Sequence, residues 1–119
     1  MNSNAKIYDL EERSYIFARD VRVFVSKIQK TIANIEDGKQ LIRSSGSQAA
    51  NYIEANESLS KKDFYMRVKI SRKEIKESIL WLKLLLVEIN SETDKERQRL
   101  LLEATELMKI YGAIITKSK

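Results

Sequence analysis

The sequence predicts an all-α protein that folds as an antiparallel, up-down-up-down four-helix bundle. Apolar residues repeat every three or four positions in four long segments, which is the period of a helix. The chain contains no proline and only three glycines, so few breaks are expected, and no segment has the alternating pattern of a strand. The breaks between segments are short, which forces neighbouring helices to run antiparallel.

The first two helices are predicted at residues 10–29 and 39–57. The segment "ANIEDGK" breaks the pattern between them, and Asp37 is predicted to cap the second helix by accepting hydrogen bonds from its free N–H groups. The first helix carries its apolar seam on one face, at Leu10, Ser14, Phe17, Val21, Phe24 and Ile28.

The third helix is predicted at residues 61–89, a rod of roughly 45 Å. Ser60 and Asp63 form an S-x-x-D pair at its start, close to a capping box. Its seam has the same spacing, at Phe64, Val68, Ser71, Ile75, Ser78, Leu82, Leu85 and Ile89.

The fourth helix is predicted at residues 95–116, with Ser91 or Thr93 as its cap. The four helices are expected to form a single domain over residues 1–119. The seam of the fourth helix lies at Leu100, Ala104, Leu107, Tyr111 and Ile114.

Composition limits the classes of function. Cysteine and histidine are absent, which excludes disulfides and the Glu-x-x-His ligands of di-iron bundles, so we expect no metal and no other cofactor. No catalytic constellation is present either, and we expect no catalytic residues and no enzyme activity. No run reaches about 18 unbroken apolar residues, and the N-terminus has no apolar signal core. We therefore expect a cytoplasmic protein with no membrane partner.

Small side chains crowd the middle of the second helix in "SSGSQAA", residues 44–50. A phosphate-binding loop would need two glycines framing a Lys and a Ser or Thr, and that spacing is missing. The segment therefore predicts close approach of a neighbouring helix. Polar residues beside it are expected to form a structural network between helices 2 and 3 rather than a carboxylate metal site. These residues are Arg43, Asn51, Glu54 and Arg72, with Glu54 paired to Arg72.

Basic residues concentrate on the third helix. Residues 60–90 hold eight Lys or Arg and four Asp or Glu, a net charge of +4 out of +5 for the whole chain. One interpretation is a solvated face with Glu74 and Glu77 as local partners. The other is a surface that binds phosphates, where Tyr65 or Tyr52 would stack on bases unless half-buried in the bundle. The candidate nucleic-acid-binding residues are Lys62, Lys69, Arg72, Lys73, Lys76 and Lys83.

The end of the third helix is apolar nearly all round, in "ILWLKLLLVEI" at residues 79–89. A surface helix of a monomer keeps a polar face, and an excess of apolar surface marks an interface. Leu80, Trp81 and Leu84 are therefore predicted to form the interface of a homo-oligomer.

Residues 40–85, with Phe17–Ala18 and the "ANIEDGKQL" turn, resemble the four-helix-bundle proteins encoded by intervening sequences in bacterial 23S rRNA genes. Relatives include the accessory variability proteins of diversity-generating retroelements. Gln48 and Ala55 depart from the family pattern. The resemblance implies a ring-like homopentamer, and its retroelement branch implies binding of nucleic acid and a reverse transcriptase. The resemblance rests on Arg43, Ser47, Ala50, Asn51, Glu54, Asp63, Phe64, Ile70, Glu77, Ser78 and Leu82.

Three functions are considered from the sequence, and the third, an enzyme, is disfavoured by the lack of His, Cys and any catalytic constellation. The first is a non-enzymatic oligomer that binds RNA or DNA through the basic face of helix 3. The alternative is a protein-interaction scaffold, for example an accessory subunit of a reverse transcriptase, with no direct role in binding nucleic acid.

Overall fold

The four-helix bundle predicted from the sequence is confirmed. The computed structural model describes the backbone of residues 3–117 and the side chains of residues 10–117. Four helices follow one another: α1 (Ser3–Lys27), α2 (Ile32–Asn56), α3 (Lys61–Leu84) and α4 (Glu92–Thr116). Each packs on the next and α4 closes the bundle on α1, whereas no Cα atoms of the diagonal pairs α1–α3 and α2–α4 lie within 8 Å of one another in residues 3–117. None of these helices combines the length and apolarity needed to cross a membrane, as far as the chain is described.

A buried polar layer at the centre of the bundle connects all four helices. Gln48 on α2 donates from Nε2 to the Ser14 carbonyl of α1 at 2.9 Å and accepts at Oε1 from the Tyr111 hydroxyl of α4 at 2.7 Å. The Ser71 hydroxyl of α3 donates to the Gln48 carbonyl at 2.9 Å. Since a buried polar group without a partner is costly, this layer favours one register of the four helices over the alternatives.

Helix α2 begins at Ile32, seven residues before the predicted start at residue 39, and Thr31 rather than Asp37 is its cap. The Thr31 hydroxyl accepts from the Asn34 N–H at 3.1 Å. Gly38, which resembled a turn residue, lies inside the helix, and a Cβ there would stand 3.2 Å from Cγ1 of Val25 on α1. This glycine therefore serves close helix packing. Helix α1 also begins earlier than predicted, at Ser3 instead of residue 10.

Helix α3 ends at Leu84, five residues before the predicted end at residue 89. Asn34 of α2 holds the chain just beyond this end, because its Oδ1 accepts from the Leu86 N–H at 2.8 Å and its Nδ2 donates to the Leu86 carbonyl at 2.9 Å. The backbone bonds that would continue the helix are thereby diverted. Ser91 is the cap of α4, which begins at Glu92 rather than at residue 95.

The small side chains of α2 lie where the prediction placed them, at close helix contacts. The hydroxyls of Ser44 on α2 and Ser78 on α3 are 2.7 Å apart in the interior. Gly46 faces α1, and a Cβ there would stand 3.0 Å from a guanidinium nitrogen of Arg22. The stripe accommodates packing on both sides of α2.

Candidate nucleic-acid interface

The basic residues of α3 form a continuous exposed surface along the helix. Lys62, Lys69, Lys76 and Lys83 recur every seven residues, or about 10.5 Å along the axis, and so share one edge. We call the full set the basic ridge. It consists of Lys62, Lys69, Arg72, Lys73, Lys76 and Lys83, all of which are exposed.

Two acidic residues of α3, Glu74 and Glu77, bind an arginine of α2. Arg43 donates to both carboxylate oxygens of Glu74, from Nη1 at 3.1 Å and from Nη2 at 3.2 Å, and Nη2 also donates to Glu77 at 3.1 Å. Burial on its own would raise the pKa of the Glu74 carboxyl. The hydrogen bonds and charge of Arg43, together with Ser47 and Lys73, outweigh it and hold this pKa below its usual value.

The ridge cations consequently have no carboxylate as a direct partner. Within the described side chains, no carboxylate oxygen lies within 4 Å of a charged nitrogen of the ridge. Several arginines elsewhere do pair with acidic residues: Arg13 with Glu103, Arg19 with Asp20, Arg43 with Glu74 and Glu77, Arg97 with Asp94, and Arg99 with Asp20 and Glu96. The ridge therefore presents its positive charge to solvent.

At its N-terminal end the ridge borders an open depression between α3 and the end of α4. Its volume is about 540 Å³, and the residues that line it are Lys61, Lys62, Tyr65, Met66, Lys69 and Lys117. The sequence did not predict Lys61 or Lys117 as site residues. Lys117 caps the C-terminal end of α4, 55 positions after Lys62 in the sequence, and only the antiparallel packing of α3 and α4 brings the two together.

The apolar residues predicted as an oligomer interface are split between two environments. Leu80 and Leu84 are 47% and 46% exposed and lie one helical turn apart on the outside of α3. Trp81 instead packs against the bundle core, with its indole Nε1 buried and without a hydrogen-bond partner. The exposed candidates for the interface are therefore Leu80 and Leu84.

Two residues of the predicted polar network, Arg43 and Asn51, bond to α3, but to residues outside the predicted set. Arg43 bonds to Glu74 and Glu77, and Asn51 accepts from Arg67 at 3.1 Å. Glu54 and Arg72 do not meet. The bonds of Gln48 with Ser71 and of Asn51 with Arg67 place Arg72 opposite residue 46 or 47, about two helical turns, or roughly 10.5 Å, from Glu54.

Comparison with known proteins identifies the family. The family described as 23S rRNA-intervening sequence protein matches residues 7–113 of the chain. The chain belongs to this family. No match was found among curated proteins.

A solved structure supports the assignment to the 23S rRNA-intervening sequence family. It is the crystal structure of a protein of unknown function from the S23 ribosomal protein family of Bacteroides thetaiotaomicron. The two chains are 29% identical and superpose with a TM-score of 0.72, over 89% of this chain and 97% of the other. The bundle is thus a fold that this family shares.

As for metal sites, no group of three or more acidic side chains within residues 10–117 is placed to hold an ion.

Proposed function

We propose that the chain is a non-enzymatic protein that binds the phosphate backbone of RNA or DNA through the basic ridge of α3. The observation that supports this most strongly is the engagement of Glu74 and Glu77 by Arg43 of α2. If the basic face of α3 were merely solvated, its lysines would be expected to pair with these two carboxylates. Because Arg43 binds them, the charge of Lys73 and Lys76 remains available to an external anion.

The spacing of the ridge suits a phosphate chain. Lys62 and Lys83 are 21 residues apart, which corresponds to about 31 Å of helix. Cations repeated along an edge of this length can each neutralise a phosphate of one flexible strand. Lysine acts as a point charge without base-edge readout, so binding should be largely independent of sequence. The family description refers to 23S rRNA, which makes RNA the first ligand to test.

Self-association would strengthen this site. Leu80 and Leu84 expose apolar surface at the C-terminal part of α3, and we propose that they contact another copy of the chain in a homo-oligomer, with a pentamer as the expected form. A symmetric ring repeats the ridge once per subunit. Several weak sites on one particle then bind a long strand far more tightly than one site does.

The test measures the affinity of a fluorescent oligonucleotide for the wild type and for a variant with Lys69→Gln, Lys73→Gln and Lys76→Gln. The control carries the same loss of charge at three exposed lysines outside α3, as Lys27→Gln, Lys30→Gln and Lys39→Gln. We expect the ridge variant to lose affinity by roughly tenfold or more and the control to lose much less. Equal binding by both variants would favour the alternative, a scaffold for an acidic protein partner such as a reverse transcriptase.

A further inference from the structure

The depression at the N-terminal end of the ridge combines lysines with one accessible aromatic ring. Lys62 and Lys69 belong both to the ridge and to the wall of the depression. Lys61 and Lys117 add two further charges, and no carboxylate oxygen lies within 4 Å of these four ammonium groups among the side chains of residues 10–117. Phosphates that follow the ridge would therefore continue into this depression.

Among the tyrosines of residues 10–117, Tyr65 is the one that can meet a ligand of the ridge. Tyr52 and Tyr111 are 3% and 0% exposed, and Tyr15 lies on α1, diagonally across the bundle from α3. The Tyr65 ring contacts the Phe64 ring edge to face, with centroids 5.2 Å apart. This contact restrains the ring, so little side-chain freedom remains to be lost when a ligand stacks on it.

We propose that the depression binds an unpaired nucleobase, which stacks on Tyr65 while the surrounding lysines hold its flanking phosphates. The inference rests on the proposed function and adds a ligand class to it. Proteins that bind single strands combine a basic groove with an aromatic side chain on which bases stack. A base inside a duplex is already stacked and paired, and its release costs a few kcal/mol. The basic ridge should therefore prefer single strands to duplexes.

The experiment compares three probes that carry the same phosphate charge per strand: a twelve-nucleotide oligothymidylate, a twelve-unit abasic deoxyribose phosphate chain, and a twelve-base-pair duplex. Stacking of one base contributes about 1–3 kcal/mol, so the oligothymidylate should bind roughly 5- to 150-fold more tightly than the abasic chain. Tyr65→Ala should remove most of this difference and leave binding of the abasic chain unchanged.

Two control variants separate stacking from a disturbed fold. Tyr65→Phe retains the ring and should restore the preference for bases. Tyr15→Ala removes an exposed tyrosine from the diagonal helix and should leave all three affinities unchanged. Tyr65→Ala should weaken the binding of a twelve-nucleotide RNA as well. If Tyr65→Ala weakens the binding of only the RNA or only the DNA oligonucleotide, that nucleic acid supplies the stacked base.

The outcomes for the two proposals are distinguishable. Equal affinity of the wild type for the oligothymidylate and the abasic chain would overturn the stacking proposal while leaving phosphate binding by the ridge intact. An unchanged preference for bases in Tyr65→Ala would overturn it as well. Binding of no probe at low salt would instead overturn the proposed function itself.

Discussion

Arg43 of α2 holds Glu74 of α3 through two parallel hydrogen bonds of 3.1 and 3.2 Å. Glu74 is nearly buried, with 9% of its side chain exposed, while half of the Arg43 side chain reaches solvent. This pair has two consequences. It joins the two helices at a defined register, and it binds Glu74 to Arg43 rather than to a cation of the basic ridge.

Loss of this pair should destabilise the bundle. We expect Glu74→Gln to lower the free energy of unfolding in urea by about 1–3 kcal/mol, less than for a fully buried pair because Arg43 is half exposed. The matched control is Glu54→Gln on the exposed surface of α2, which should change stability by less than about 0.5 kcal/mol. A larger effect at Glu54 than at Glu74 would contradict this assignment.

The same pair predicts a dependence of stability on pH. Because the pKa of Glu74 is lower in the folded state than its ordinary value of 4.5, the unfolded chain binds the proton more readily. The stabilisation is present above pH 4.5 and is lost as the pH falls through the folded value. Urea unfolding at a series of pH values should show that acidification lowers the free energy of unfolding less in Glu74→Gln than in the wild type. An identical dependence of this free energy on pH in both proteins would show that the pair does not contribute to stability.

A second prediction concerns the contact between Gln48 and Tyr111. Either Tyr111→Phe or Gln48→Met leaves a buried polar atom without its partner, which costs about 1–3 kcal/mol. The double variant removes both groups, so its loss should be smaller than the sum of the single losses by about 0.5–3 kcal/mol. Chemical denaturation of the four proteins measures this coupling. Additive losses would mean that the hydrogen bond contributes little to stability.

The periodic seams of the helices were predictable because they depend on local spacing. Leu10, Phe17 and Phe24 of α1, and Leu100 and Leu107 of α4, are buried as the pattern required. Local composition misplaced the starts of α1, α2 and α4 and the end of α3. The run after Leu84 looks helical, yet Asn34 binds its backbone from 52 positions away, and no local pattern contains that contact.

The candidate site likewise has one feature that could be predicted from the sequence and one that could not. Exposure of the lysine ridge followed from the seven-residue spacing on a helix whose apolar face was already known. The partner of Arg43 could not be predicted from the sequence. The spacing indicates which residues lie on facing sides of α2 and α3, but not how far one helix is shifted along the other. The buried bonds around Gln48 select that register, and they pair Arg43 with Glu74 and leave Glu54 and Arg72 apart.

Oligomer formation gives a third prediction. Light scattering of the wild type should give a mass several times that of the 13.8 kDa protomer. Leu80→Glu with Leu84→Glu should shift the mass towards that of the protomer, because two charges cannot be buried in an apolar interface without partners. Leu59→Glu, in the connection between α2 and α3, is the matched control and should leave the mass unchanged. A wild type that stays monomeric at high micromolar concentration would contradict the prediction.

The salt dependence of binding to a single-stranded oligonucleotide tests the basic ridge most directly. Each neutralised phosphate contributes about −0.7 to the slope of log affinity against log salt. If five of the six ridge cations each contact one phosphate, the slope is about −3.5 for the wild type, and the loss of three contacts, in Lys69→Gln, Lys73→Gln and Lys76→Gln, reduces it to about −1.4. The same slope in both proteins, or no binding by the wild type at low salt, would contradict nucleic-acid binding through this ridge.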